Sequence, residues 1–150
     1  MISPEVLRRY PYFAGLSADQ MVTVANTAEE ISAPAGHVFF HEGDVLNHLY
    51  IVLEGEVAIL IELPTQNKQA VTSTVGPGEV FAWSALVPPY QATAGVKALS
   101  VSRVLSFDCR ALRKAFEQDC QLGYNMMQML AQVIRDRLRD LRIETLACMA

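Results

Sequence analysis

The chain has 150 residues, enough for one globular domain with a sizeable core but too few for a catalytic domain plus a second module of ordinary size. Hydrophobic residues make up 51% of it and charged residues 19%, which excludes the composition of a disordered segment. A formal charge of -4 provides no basic field to attract phosphates, so we expect no nucleic-acid binding by this chain.

The cysteines and the N-terminus indicate a cytoplasmic location. Cys109, Cys120 and Cys148 are an odd number without a CxxC pair, so we expect reduced thiols rather than a disulfide framework or a zinc cluster. The N-terminal charges follow Pro4 and Glu5 with no apolar stretch behind them, which is not the pattern of a signal peptide. Nowhere do eighteen apolar residues run together, so we expect no membrane span.

Helix signals come first along the chain. Ser3 precedes Pro4, as a cap precedes a first-turn proline, and Ser17 with Gln20 has the spacing of a capping box. Two short helices are therefore expected before residue 30. With the segments described next, they predict a single domain over 1–150, made of a helical head (1–30), a β-barrel (36–107) and a helical tail (108–148).

The middle of the chain has the pattern of a small barrel or sandwich. Short runs of β-branched and aromatic residues alternate there with Gly, Pro and Asn-containing turns. The runs predicted as strands are 49–53, 57–61, 71–75, 92–98 and 102–107. Glu54 and Gly55 predict a tight hairpin between the first two. These features predict an antiparallel, mainly β core.

The tail predicts two helices. Asp108 is placed to cap the first, and a longer pattern runs from residue 122 to residue 146. Its apolar residues recur at three- and four-residue steps: Met126, Met127, Leu130, Val133, Ile134, Leu138 and Leu141. Such a stripe is often buried against a partner helix, so we predict a homodimer formed through these residues. The alternative is a helix folded back on its own barrel.

Four segments carry a family pattern in order: residues 13–17 (FAGLS), 36–44 (GHVFFHEGD), 49–57 (LYIVLEGEV) and 76–81 (GPGEVF). Together they resemble the cyclic-nucleotide-binding domain of the catabolite activator protein, protein kinase A regulatory subunits and cyclic-nucleotide-gated channels. The resemblance implies an antiparallel eight-stranded jelly-roll β-barrel with flanking N-terminal helices and a long C-terminal helix. In that family's transcription factors a helix-turn-helix domain follows this helix. These 150 residues offer no counterpart, so we expect a downstream protein partner of unknown identity.

The resemblance also implies a phosphate-binding cassette of strand, short helix and loop, which maps to residues 81–94 and is called the cassette below. The candidate ligand-binding residues are Phe81, Ala82, Trp83, Ser84, Ala85, Leu86, Gln91, Ala92 and Thr93. In the family, an acid accepts the ribose 2'-hydroxyl and an Arg pairs with the phosphate. Here Trp83 stands in place of the acid and Gln91 in place of the Arg.

Both charged contacts with a cyclic nucleotide are therefore expected to be missing. Losing one partner of a buried charge pair costs about 2 to 5 kcal/mol, which weakens binding by about thirty-fold to several thousand-fold. We predict a sensing module that binds cyclic AMP or cyclic GMP weakly or not at all. The sequence leaves the identity of the ligand open between a cyclic nucleotide and another small anionic molecule. It also leaves open a second function, that of a dimeric protein-interaction or regulatory module with a vestigial pocket.

Enzymatic chemistry is not expected. His37 and His41 lie four residues apart on a predicted strand, about 13 Å at 3.3 Å per residue, which is too far for two ligands of one metal ion. Together with His48 they are better explained as loop or surface residues. The sequence has no Gly-x-Ser-x-Gly motif, and Cys109 is expected to be a buried, inert thiol rather than a reactive thiolate.

Overall fold

The computed structural model describes residues 1–63, 65–66 and 68–149. Its helices are α1 (Pro4–Leu7), α2 (Ala18–Asn26), α3 (Cys109–Gln118) and α4 (Cys120–Met149), with short 3-10 helices at Pro11–Phe13 and Trp83–Leu86. Its strands are β1 (Ala28–Ala33), β2 (Val38–Phe40), β3 (His48–Glu54), β4 (Val57–Leu63), β5 (Lys68–Val75), β6 (Val80–Phe81), β7 (Gly95–Ala98) and β8 (Ser102–Asp108).

The strands form two four-stranded antiparallel sheets, ordered β1-β8-β3-β6 and β2-β7-β4-β5. Side chains from both sheets fill one apolar core, in which Phe13, Phe81 and Phe107 are the bulkiest fully buried members. The prediction of a mainly β jelly roll with flanking helices is confirmed.

The predicted helix caps are present. Ser17 and Gln20 form both hydrogen bonds of the capping box at the start of α2. The Asp108 carboxylate accepts from the backbone N–H groups of Arg110 and Ala111 at the start of α3. These bonds connect neighbours in sequence, which is why they were predictable.

The hairpin predicted at Glu54 and Gly55 is wrong. Strand β3 pairs with β6 and β8, whereas β4 pairs with β5 and β7 in the other sheet. The turn therefore carries the chain across the barrel from one sheet to the other. Gly55 makes this corner possible with a φ of +91° and a close approach to Ser102, where a Cβ would lie 2.7 Å from the Val101 carbonyl oxygen.

Replacing Gly55 by Ala is expected to destabilise the fold by about 2 to 5 kcal/mol. Left-handed backbone costs an L-residue about 1 to 2 kcal/mol, and forced overpacking adds about 1 to 3 kcal/mol. Gly36→Ala is the matched control, because Gly36 has a φ of +87° but nothing within 4 Å of an added Cβ. Urea unfolding should show the larger loss for Gly55→Ala, and equal losses would contradict the steric explanation.

The barrel starts earlier than the predicted range of 36–107. Strand β1 lies within and just after the predicted helical head, as an edge strand paired only with β8 among the described strands. Its sequence includes Glu29 and Glu30, which are exposed and have little strand preference, so pairing rather than propensity explains the strand. Strand β7 begins at Gly95 rather than at residue 92.

Helix α4 has two parts with different surroundings. Leu122, Met126 and Leu130 are buried in the domain core. Farther along, Ile134, Leu138 and Leu141 are 37%, 47% and 37% exposed.

In the part of the chain that the structure describes, no helix combines the length and apolar character needed to cross a bilayer.

Candidate functional site: the cassette and its cavity

The cassette borders a partly open cavity with a volume of about 50 Å³. Residues from β2, β4, β6, β7 and the connecting loops line it. They are Phe40, Leu46, Ile59, Phe81, Ala82, Trp83, Ser84, Ala92, Thr93, Ala94 and Val96. No charged side chain is among these lining residues, and the only side-chain hydroxyls are those of Ser84 and Thr93.

Packing of β6 fixes the start of the cassette. Phe81 pairs with Tyr50 of β3 and stacks on its ring, with the ring centroids 4.8 Å apart. Burial raises the pKa of the Tyr50 hydroxyl, so this ring stays uncharged over the physiological range. Ala82 then turns the chain into the 3-10 helix, whose Ala85 and Leu86 are buried in the core.

Ala82 makes this turn in the left-handed conformation, with φ 68° and ψ 32°. We expect Ala82→Gly to stabilise the protein by about 0.5 to 1 kcal/mol, because relief of about 1 to 2 kcal/mol of backbone strain exceeds the added chain entropy of Gly. Thermal unfolding measures the effect. Ala85→Gly is the control and should destabilise, since Ala85 is fully buried without a positive φ; the same sign for both variants would contradict the explanation.

Trp83 lies between the cavity and α4. Its ring lines the cavity and also contacts Arg137 of α4, whose guanidinium carbon is 5.3 Å from the ring centroid. Arg137 donates to the Val80 carbonyl at 3.3 Å and lies 3.7 Å from the Glu79 carboxylate. Its Nη1 is buried and has no hydrogen-bond partner among the described residues. Trp83 and Arg137 thus join the cassette to the long helix.

A second arginine supports the cassette from α3. Arg113 donates to the Ala85 carbonyl at 2.7 Å, and its guanidinium carbon lies 4.0 Å from the centroid of the Tyr90 ring. Tyr90 has a φ of 62°, so this contact holds a residue in a backbone conformation that non-glycine residues rarely adopt. Neither Arg113 nor Arg137 lines the cavity.

Gln91 is exposed and does not line the cavity. Its backbone forms an isolated bridge with Val45, and the flanking residues bond to the same loop, through Leu46 N–H to Tyr90 O (2.7 Å) and Ala92 N–H to Asp44 O (2.8 Å). The backbone position is therefore well fixed, while the amide side chain faces solvent.

The structure thus brings together six of the sequence-predicted ligand-binding residues at the cavity wall: Phe81, Ala82, Trp83, Ser84, Ala92 and Thr93. Ala85, Leu86 and Gln91 lie outside the lining. The backbone N–H of Ala85 is occupied by a hydrogen bond to the Ala82 carbonyl within the cassette. Sequence reasoning missed Arg113 and Arg137, because contacts between distant segments leave no local pattern.

The residues considered for metal or nucleophilic chemistry are dispersed. His37 packs against Phe39, while His41 lies 3.7 Å from the Glu62 carboxylate. Within the described ranges, no three His, Cys, Asp or Glu residues are grouped closely enough to hold a metal ion. Cys109 is buried, and desolvation raises the pKa of its thiol to about 12, which suppresses the reactive thiolate.

Comparison with known proteins agrees with the fold. A sequence model described as "Cyclic nucleotide-binding domain" matches residues 30–119. The CRP-like cAMP-activated global transcriptional regulator of Mycobacterium tuberculosis is 25% identical over 131 residues, which are 87% of this chain and 58% of that protein. The chain thus spans just over half the length of this relative.

Two solved structures superpose on most of the chain. One is a Geobacter metallireducens protein assigned as a cyclic nucleotide-binding protein, with a TM-score of 0.82 and 34% identity over 92% of this chain and 99% of that one. The other, the catabolite activator protein of Thermus thermophilus, has a TM-score of 0.69 at 23% identity and covers 91% of this chain and 63% of its own. This second likeness concerns the fold alone.

Proposed function

Because the chain belongs to the cyclic nucleotide-binding domain family, we propose that it is a non-enzymatic sensing module whose altered cassette binds cyclic AMP and cyclic GMP weakly or not at all. The observation that carries this proposal is the absence of charged side chains among the residues lining the cavity. A cyclic phosphate placed there would lose its hydration without gaining a counterion, which is costly in a partly buried site.

The surroundings of two guanidinium groups that contact the cassette support the same conclusion. Arg113 is occupied by the Ala85 carbonyl and the Tyr90 ring, and the charge of Arg137 is offset by Glu79. Bringing either group to a phosphate would require breaking these contacts. Trp83 presents an indole at the position where the family pattern has a carboxylate. The ribose hydroxyl of a bound nucleotide would therefore lack its charged acceptor.

A homodimer formed through α4 is the second part of the proposal. Ile134, Leu138, Leu141, Thr145 and Cys148 succeed one another at steps of four and three residues, the 3.5-residue period of a left-handed coiled coil. The first three are exposed apolar side chains on this chain, and covering such a stripe with a second copy would remove them from water. Met126 and Leu130 of the predicted interface would instead support α4 from within the protomer.

Such a dimer would act in the cytoplasm and pass its state to another protein. The alternative function, a dimeric interaction module with a vestigial pocket, is favoured by the same exposed stripe on α4 if the cavity takes no ligand.

Titration calorimetry with cyclic AMP and cyclic GMP tests the proposed function. We expect dissociation constants weaker than about 30 µM, or no detectable heat, because a missing charge pair weakens binding at least about thirty-fold relative to a site of about 1 µM. Binding of either nucleotide at about 1 µM or tighter would refute the proposal.

A further inference from the structure

We propose that the cavity takes an uncharged aromatic molecule with a single hydroxyl or ring N–H group; this inference rests on the proposed sensing function of the same site. All but two of the lining residues are apolar, and three of them, Phe40, Phe81 and Trp83, supply aromatic rings. An apolar wall with a few placed polar groups is the usual composition of a small-molecule site.

The electrostatics of the cavity favour a neutral ligand over an anion or a cation. No carboxylate, ammonium or guanidinium is among the described lining residues. An ionised group inside would therefore be desolvated without a partner, at a cost of several kcal/mol. A neutral molecule avoids this cost.

The aromatic lining favours a ring as the body of the ligand. The Phe40 and Phe81 rings lie 6.4 Å apart at an interplanar angle of 30°, and Trp83 follows two residues after Phe81 along the same wall. Aromatic pairs add about 0.5 to 1.5 kcal/mol beyond the area they bury. The lining should therefore bind a planar ring more tightly than an aliphatic chain of the same size.

The two hydroxyls define the polar part of the ligand. Ser84 lies within the 3-10 helix, and Thr93 lies in the loop before β7; both line the cavity. A hydroxyl is both a donor and an acceptor, so either residue can satisfy one hydroxyl or N–H group of the ligand. A molecule with many polar groups would leave most of them unsatisfied against the apolar wall.

Three related probes test this inference: toluene, benzyl alcohol and benzoate, which share a ring and differ in one substituent. Trp83 is the single tryptophan of the chain and lines the cavity, so its fluorescence reports occupancy directly, with calorimetry as the second readout. We expect saturable binding of benzyl alcohol with a dissociation constant below about 1 mM, since even a small ligand can reach about 4 kcal/mol. Toluene should bind several-fold more weakly, and benzoate at least about tenfold more weakly.

Two variants locate the binding. Ala94→Phe places a ring in the mouth and should weaken benzyl alcohol binding at least about tenfold. Thr93→Val removes an exposed hydroxyl, which does not threaten the core, and should reduce the advantage of benzyl alcohol over toluene. If Ala94→Phe does not fold, Thr93→Val still decides the question.

The inference is overturned if benzyl alcohol shows no saturable binding, if benzoate binds as tightly, or if every one of the two variants that folds binds like the parent. Parallel titration with cyclic AMP separates this failure from failure of the proposed function. Tight cyclic AMP binding would reject the proposed function, whereas weak cyclic AMP binding without benzyl alcohol binding would reject the present inference alone.

Discussion

Introducing Trp83→Glu together with Gln91→Arg is expected to raise the affinity for cyclic AMP by at least about thirty-fold over the parent. Glu at position 83 would place a carboxylate acceptor for the ribose hydroxyl at the cavity wall, and Arg at position 91, next to the lining residue Ala92, would add a guanidinium long enough to turn from solvent toward a bound phosphate. A desolvated charge pair contributes about 2 to 5 kcal/mol, which sets the lower bound on the gain. Titration calorimetry on the two proteins measures it.

Gln69→Arg is the control for the added charge. It replaces an exposed glutamine by the same cation on strand β5, which does not line the cavity, and should leave the affinity unchanged. If the double variant binds cyclic AMP no better than Gln69→Arg does, then residues 83 and 91 are not the positions at which the charged contacts were lost. If Gln91→Arg alone raises the affinity for cyclic AMP, the larger part of the missing binding free energy belongs to the phosphate contact.

Charges in the exposed stripe of α4 are expected to convert a dimer into monomers. Leu138→Asp with Leu141→Asp would place two carboxylates in each half of the proposed interface, where a buried unpaired charge is strongly unfavourable. Sedimentation velocity should show the parent at twice the chain mass of 16.6 kDa and the variant at 16.6 kDa. Leu130 is unsuitable for this test because it is 2% exposed within its own protomer, so Asp there would damage the core.

Ile143→Asp is the matched control for the dimer. Ile143 is 57% exposed on the same helix, but at 100° per residue it lies about 200° from Leu141, on the opposite side. The control should stay dimeric. A monomeric parent, or dissociation by Ile143→Asp and by the stripe variant alike, would reject the proposed interface.

Cys148 provides an independent check of helix direction. It continues the exposed stripe seven residues after Leu141, so a parallel pair of α4 helices would bring the two Cys148 thiols together. Mild oxidation should then give a covalent dimer that Cys148→Ser abolishes.

How much of the fold could be predicted depends on how far apart in the sequence the interacting residues lie. Ser17, Gln20 and Asp108 act on backbone groups within three residues, and their caps were predicted correctly. The corner at Gly55 was not predicted, because a glycine between two apolar runs is compatible with a hairpin as well as with a crossing between sheets. Only the pairing of β3 with β8 and of β4 with β7 distinguishes the two.

The sequence indicated which segment borders the cavity, but only part of its contacts. The segment around Phe81 and Trp83 was located from motif order, and much of it lines the cavity. The exposed side chain of Gln91 and the contacts of Arg137 with Trp83 and Glu79 depend on how α4 and a distant loop pack against the cassette. Residue types so far apart in the sequence carry no such information.

Among the described residues that line the cavity none supplies a charge to a phosphate, and comparing cyclic AMP with adenosine on the parent protein tests this most directly. The two ligands share the base and the ribose and differ by the cyclic phosphate. We expect cyclic AMP to bind no more than about threefold tighter than adenosine, a difference of less than about 1 kcal/mol. A preference for cyclic AMP of a hundredfold or more, lost on adding salt, would reveal a cation at the phosphate and contradict the account.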